Sequence, residues 1–110
     1  MLIDFTKMEP KTEHNFRGGL NDIFTCAQAE EAVKVIRGAI PKGASIGMHT
    51  HTTDFEVMYI ISGQAESTLD GVKDTLTAGM CQYCPQGHSH DLVNTGEEDL
   101  VFLGIVPKAV

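Results

Sequence analysis

Two glycine-bounded stretches of this chain place three histidines and a glutamate at spacings that a folded sheet could bring to one point. The first stretch begins at Gly43 and contains His49, His51 and Glu56, and the second contains His90. Because side chains alternate between the two faces of an extended strand, His49 and His51 project to the same side. Imidazole nitrogens and carboxylates are ligands that divalent transition metals accept. The pattern therefore predicts a metal site, to which His90 comes from another part of the fold.

Turn residues recur along the chain and favour strands over helices. The segments that we expect to form strands cover residues 20–25, 33–40, 44–51, 55–61, 64–69, 72–77, 80–84, 91–94 and 100–106. Asp70-Gly71 suits the type I′ turn of a β-hairpin. Residues 27–32 are rich in helix formers and predict at most one helical turn between strands. Many short strands with turn signals between them predict an all-β sandwich or barrel.

The two stretches resemble the two signature motifs of the cupin superfamily. The first reads G-x5-H-x-H-x4-E-x6-G from Gly43 to Gly63, and the second reads G-x5-P-x-G-x2-H-x3-N from Gly79 to Asn94. The resemblance implies a double-stranded β-helix, the cupin or jelly-roll barrel. It also implies the metal ligands His49, His51, Glu56 and His90. It says little about the reaction, because the superfamily includes dioxygenases, isomerases and lyases as well as non-catalytic sugar-binding and seed-storage proteins.

This ligand set favours one divalent transition metal. A buried carboxylate among neutral imidazoles is costly, and a divalent cation offsets that cost. Iron, manganese, nickel, cobalt, copper and zinc all accept these ligands, so the sequence does not encode which metal binds. Four protein ligands leave two positions of an octahedral metal open to a bidentate substrate, or to substrate and dioxygen.

Three function classes follow from such a site. We expect a metal-dependent enzyme that acts on a small polar molecule by dioxygenase, isomerase or lyase chemistry. The first alternative is a non-catalytic module that binds or senses a sugar or an organic acid. The second alternative is a barrel whose metal is purely structural, which requires a shell closed by further side chains.

The composition fits a single small domain over residues 1–110. Hydrophobic residues make up 42% of the chain, and no apolar run approaches the ~20 residues that span a bilayer. The formal net charge of -7 disfavours a nucleic-acid partner, since phosphates need basic partners, and equally disfavours an anionic membrane. The odd count of three cysteines, with no secretory signal at the N-terminus, predicts a reducing cytoplasmic location.

Two cysteines, Cys81 and Cys84, form a C-x-x-C pair. Thiolates bind zinc, but the chain has no second such pair to complete a four-sulfur site. Free cysteine often behaves as a small buried hydrophobe. We therefore expect these two residues to be structural, with a redox or second-metal role as the alternative.

Five other side chains are candidates for contacting a bound substrate. Arg37 falls within a predicted strand, where it would clamp a substrate carboxylate if it faced inward and would be solvated if it faced outward. Met58 is expected to fill the barrel or form an apolar wall of the pocket. Tyr59 and Tyr83 would orient a ligand through their hydroxyls or pack in the core. His88 is a candidate second-shell or alternative ligand, or else a solvated loop residue.

Residues 1–16 have no clear place in a cupin barrel. They carry apolar Leu2, Ile3, Phe5 and Phe16. A small barrel also has exposed sheet edges, which association with a second chain can cover. We therefore expect a homodimer to which this N-terminal segment contributes.

Overall fold

The computed structural model describes all 110 residues, and its secondary structure consists mainly of ten β-strands. The strands are β1 (Lys11–His14), β2 (Asp22–Ala29), β3 (Val33–Ile40), β4 (Ser45–Thr50), β5 (Glu56–Ser62), β6 (Gln64–Leu69), β7 (Val72–Thr77), β8 (Cys81–Cys84), β9 (Ser89–Asn94) and β10 (Leu100–Pro107). The helical segments are two 3₁₀ turns, Phe5–Lys7 and Phe16–Gly18. Neither has the length or the apolar character needed to cross a bilayer.

The strands form two antiparallel sheets. The larger sheet has the order β1-β2-β3-β10-β5-β8, and the smaller has the order β4-β9-β6-β7. Strands that are distant in sequence therefore lie side by side, since β10 pairs with both β3 and β5 and β4 pairs with β9. This topology confirms the predicted double-stranded β-helix.

The core lies between the inner faces of the two sheets. Along β5, Met58 and Ile60 are buried, whereas Tyr59 and Ile61 between and beyond them are exposed. This alternation is the period-two pattern of a strand with one face against a core. The buried apolar cluster contains Ile23, Ile40, Ala44, Ile46, Met58, Ile60, Ala65, Leu76, Leu92, Leu100 and Phe102.

Two local sequence predictions have opposite outcomes. The type I′ turn at Asp70-Gly71 is confirmed, because both residues have the positive φ angles that it requires, 50° and 82°. The helical turn over residues 27–32 is wrong. Residues 27–29 continue β2 and pair with residues 34–36 of β3. Pairing with a neighbouring strand outweighs the intrinsic helix propensity of alanine and glutamine.

Part of the N-terminal segment lies in the sheet of its own chain. Strand β1 pairs antiparallel with β2, from Lys11 opposite Thr25 to His14 opposite Asp22. Residues 11–14 thus have a place in the barrel that the sequence did not reveal. The first two residues remain on the surface, where Leu2 is 91% exposed.

Candidate metal centre

The pairing of β4 with β9 and the start of β5 bring the four predicted ligands together. His49 lies directly opposite His90 in the register of β4 and β9. His51 follows the last residue of β4, and Glu56 is the first residue of β5 in the other sheet. One potential ligand atom from each of the four residues lies within 4.8 Å of all the others. The structure thus assembles a cluster that could hold a metal ion.

The cluster is compact and largely buried. The carboxylate Oε1 of Glu56 lies 3.3 Å from Nε2 of His51 and 3.0 Å from Nε2 of His90. The two Nε2 atoms are 3.0 Å apart. The ring of His49 is centred 4.7 Å from that of His90 and 5.0 Å from that of His51. Only His49 is more than slightly exposed, so the site has one accessible side.

Each histidine is oriented by a hydrogen bond from its other ring nitrogen. The three Nδ1 atoms donate to the carbonyl of Gly47 at 2.8 Å for His49, to Oδ1 of Asp54 at 2.6 Å for His51, and to Oε1 of Gln82 at 2.8 Å for His90. An acceptor at Nδ1 places the proton there and leaves Nε2 as the ligand atom. Such outer partners are typical of metal-binding histidines. All three imidazoles therefore present Nε2 to one centre.

The electrostatics of the cluster also suit a cation. Burial alone would raise the pKa of Glu56, but hydrogen bonds from His51 and His90 lower it to about 2. The hydrogen bond to Glu56 raises the pKa of His51, whereas burial lowers that of His49. In the absence of a metal, hydrogen bonds from the neighbouring imidazoles stabilise the buried carboxylate of Glu56. A divalent cation would offset the same charge and occupy the same centre.

Residues that the sequence analysis missed support this cluster. Asp54 and Gln82 accept the bonds described above, and Gln82 in turn donates to Oγ of Ser67 at 2.9 Å. A Cβ at Gly104 would lie 2.7 Å from Oε2 of Glu56, so glycine leaves room for the carboxylate. The structure shows that Gln82 is a buried polar residue on the inner face of β8. The roles of Gln82, Ser67 and Gly104 depend on contacts between segments that are distant in sequence.

One of the five substrate-contact candidates lies in the cavity beside the cluster. Met58 is 2% exposed and lines that cavity. Tyr59 and Tyr83 are 43% and 57% exposed on the outer face of the larger sheet. Arg37 is also exposed, opposite Leu103 on the same outer face. The structure therefore places these three side chains away from the cavity, because inward and outward positions alternate along each strand.

His88 and the two cysteines of the C-x-x-C motif, which are both free thiols, lie outside the cluster. His88 is exposed and its Nδ1 bonds to a carboxylate oxygen of Asp70. Cys84 is buried as expected, whereas Cys81 is exposed, which the sequence analysis did not anticipate. Burial, together with nearby carboxylates led by that of Glu56, raises the pKa of the Cys84 thiol to about 11. The two thiols face opposite sides of β8 and cannot share one metal.

A cavity of about 630 Å³ adjoins the accessible side of the cluster. Its wall includes apolar Phe16, Ile36, Met58, Leu92 and Phe102. This volume lies in the range of about 300–1,000 Å³ that is usual for small-molecule sites, and apolar walls with a few polar groups are typical of them. The arrangement can therefore admit a small ligand to the metal position.

Comparison with known proteins identifies the family. The sequence model for the cupin domain matches residues 36–106. The chain belongs to the cupin family. This cupin is 30% identical over 112 residues to the oxalate-binding protein of Thermotoga maritima, covering 96% of the chain and 93% of that protein. The resemblance inferred from the two motifs is thereby confirmed.

Solved structures agree with the fold of this cupin. A crystal structure described as a predicted oxalate decarboxylase from Thermotoga maritima matches with a TM-score of 0.93 at 28% identity, covering 99% of this chain and 100% of that one. A Cupin 2 conserved barrel domain protein from Salinispora arenicola matches with a TM-score of 0.78 at 19% identity, covering 99% of this chain and 89% of that one. The second similarity concerns the fold alone.

Proposed function

We propose that this cupin binds one divalent transition metal through His49, His51, Glu56 and His90, and that it is an enzyme acting on a small carboxylate such as oxalate. The observation that carries the proposal is the convergence of the four ligand atoms within 4.8 Å at the edge of the cavity. The 30% identity to an oxalate-binding protein over nearly the full chain supports the ligand class.

The chain's own residues position the ligands and shape the pocket. Asp54 and Gln82 hold the rings of His51 and His90, so that both present Nε2 to the centre. Apolar walls that include Met58 limit the access of water, which strengthens electrostatic interactions inside the cavity. A bound divalent metal would supply Lewis-acid polarisation of a coordinated carboxylate oxygen.

Among the three reaction types that cupin ligands allow, we favour lyase chemistry. A crystal structure that matches this chain over nearly the full length of both chains is described as a predicted oxalate decarboxylase. Decarboxylation of oxalate breaks its carbon–carbon bond and yields carbon dioxide and, after protonation, formate. Dioxygenase and isomerase reactions are the other types that the same ligands would serve.

Binding without turnover is the second candidate, and one observation favours it. The carboxylates of the cavity wall outside the cluster mostly have partners: Glu13 pairs with Lys11, Asp54 with His51, and Asp91 accepts from the backbone of Thr68. Glu9 is the one such carboxylate without a partner. The cavity wall therefore offers few carboxylates that could transfer a proton during a reaction, which favours binding without turnover. A purely structural metal is less well supported, because four side chains leave two positions of an octahedral metal open and all four line the cavity.

Cobalt-loaded protein distinguishes these functions. Oxalate should change the visible absorption of bound Co²⁺ by entering its coordination sphere. If the protein is an enzyme, the protein purified with its own metal should also release formate from oxalate. A binding module should show the spectral change in the cobalt form and no product in either form, and a structural site should show neither. His88→Ala is the control, because His88 lies outside the cluster and should leave every readout unchanged.

We also propose that this cupin is a homodimer. The outer face of the larger sheet is unusually apolar for a solvent-exposed surface, with Val57, Tyr59, Ile61, Leu103 and Ile105 facing outward. Contiguous apolar surface of this kind is typical of interfaces. The exposed Leu2 near the N-terminus supports a contribution from that segment. Light scattering at micromolar concentration should give twice the 11.9 kDa chain mass, and a monomeric mass would reject the proposal.

A further inference from the structure

Two cations line the metal cavity without a carboxylate partner. Arg17 and Lys34 both contribute to its wall, and neither forms an ion pair or a side-chain hydrogen bond. The other lysine of the wall, Lys11, pairs with Glu13 at 3.5 Å. Glu9 is the one carboxylate of the wall that also lacks a partner. Arg17 and Lys34 are both exposed, so they place unpaired positive charge on the solvent-accessible part of the cavity wall. In a chain with a net charge of -7, such local positive charge favours an anionic ligand.

Strand register places Lys34 at a defined distance from the metal cluster. Val106 of β10 is opposite Lys34, and Ile105 is opposite Val57, so Glu56 lies at the same level of the sheet. Lys34 is therefore two strands from Glu56, about 10 Å between backbones. Val106 stands between them and also lines the cavity. The path from the cluster to the lysine thus passes over an apolar side chain.

Arg17 approaches the cavity from the smaller sheet. A Cβ at Gly47 would lie 2.2 Å from the carbonyl oxygen of Arg17. The backbone of Arg17 therefore packs directly against β4 at Gly47, which precedes His49 by two residues. Arg17 adopts a left-handed conformation with a φ of 54°, which a non-glycine residue rarely adopts unless its surroundings impose it. Its guanidinium lies 5.6 Å from the centre of the Phe16 ring, which also lines the cavity. The cation is therefore held beside the cavity wall.

We propose that the ligand of this cavity is an anion longer than oxalate, an inference that rests on the proposed function. One carboxylate end binds at the metal cluster, a short apolar segment passes over Val106, and a second anionic group interacts with Lys34 and Arg17. Oxalate has no segment between its two carboxylates and cannot span two strands. A cavity of about 630 Å³ also leaves most of its apolar wall without contact when oxalate is bound.

A matched pair of 2-oxo acids tests this inference. 2-Oxohexanoate and 2-oxoadipate share the chelating end and the chain length, but only 2-oxoadipate carries a distal carboxylate. Titration of cobalt-loaded protein, followed by visible absorption, should give an affinity about tenfold higher for 2-oxoadipate, because the distal group forms charge-assisted hydrogen bonds. The acidic chain as a whole would repel the more negative acid, so such a preference requires local cations.

Two substitutions locate the effect. The Arg17→Met and Lys34→Met double variant should bind 2-oxoadipate only as well as it binds 2-oxohexanoate, because the two acids then differ in no favourable contact. Arg37→Met is the matched control, because Arg37 is the second arginine of the chain and lies on the outer face. Far-UV circular dichroism and cobalt content confirm that each variant folds and loads.

The outcomes separate this inference from the proposed function. Equal affinity for the two acids in the wild-type protein would overturn the inference, as would a preference for 2-oxoadipate that persists in the double variant. Spectral changes with oxalate would then still support the proposed function. If no acid changes the cobalt spectrum, the proposed function fails and this inference fails with it.

Discussion

Substituting Gly104 with alanine should weaken metal binding more than it weakens the fold. The added Cβ would lie 2.7 Å from Oε2 of Glu56, closer than side-chain atoms normally approach, whereas its contact with the Phe102 ring would be an ordinary 3.5 Å. The clash can be relieved if the Glu56 carboxylate moves. That movement would break the contacts of 3.3 Å and 3.0 Å with His51 and His90.

The expected magnitude follows from how much each property depends on that carboxylate. Disturbing a residue that supports a metal ligand typically lowers metal affinity about 10–100-fold, or ~1.4–2.8 kcal/mol. Overpacking costs about 1–3 kcal/mol of stability, and replacing a strand glycine with alanine recovers about 0.5–1 kcal/mol. The net change in the free energy of unfolding of the metal-free protein should therefore stay below about 2.5 kcal/mol.

Competition between the protein and a chelating metal indicator measures the affinity, and urea denaturation of the metal-free protein measures the stability. Gly96→Ala is the matched control, since a Cβ there would make a tolerable 3.4 Å contact with Cβ of Gln64 and lies away from the cluster. A folded Gly104→Ala protein with wild-type metal affinity would refute the placement of Glu56 as a ligand.

Three further predictions follow from the site. Gln82→Leu removes the acceptor of His90 Nδ1 and should lower metal affinity about 10–100-fold by indicator competition; unchanged affinity would show that this bond does not position the ligand. Metal affinity should decline as pH falls, with an onset above about 6.5, because the hydrogen bond to Glu56 raises the pKa of His51 and protonated imidazole cannot bind a metal. Glu56, with its pKa lowered to about 2, should add no pH dependence above about pH 4, so a step near pH 4.5 would contradict its burial among histidines. Iodoacetamide should modify exposed Cys81 but not Cys84, whose pKa is raised to about 11 by burial. Mass spectrometry of the peptides identifies the alkylated residue, and alkylation of Cys84 in place of Cys81 would contradict the prediction.

The metal cluster and the strands were predictable because their signals are local. His49 and His51 are two residues apart on an extended strand, so their shared face follows from the geometry of one segment. The bounds predicted for β3, residues 33–40, are those of the structure, because Val and Ile fill the segment and Pro41 follows it. The Asp70-Gly71 turn is equally local. These features need no knowledge of the partner strands.

The absolute face of a side chain was not predictable from the same pattern. Apolar residues occupy both faces of β3 and β5, so the sequence did not distinguish inward Met58 from outward Tyr59, or show that Arg37 points outward. Because the outer face of the larger sheet is also apolar, its strands lack the alternation of apolar and polar residues that normally identifies the core-facing side.

Residues that support the cluster depend on distant pairings. Gln82 reaches His90 across the barrel, and Gly104 meets Glu56 because β10 lies beside β5. Neither relationship follows from spacing along the chain. The single-domain organisation, the cytoplasmic location and the absence of nucleic-acid and membrane partners stay predictions from composition.

Metal content of the purified protein tests the central claim most directly. Elemental analysis of protein prepared without added metal should find about one divalent transition metal per chain. His90→Ala should lose most of that metal, because His90 supplies one of the four converging ligand atoms, while His88→Ala should retain it, because His88 bonds to Asp70 outside the cluster. Full metal occupancy in a folded His90→Ala protein, or equal loss in both variants, would contradict the proposed metal centre.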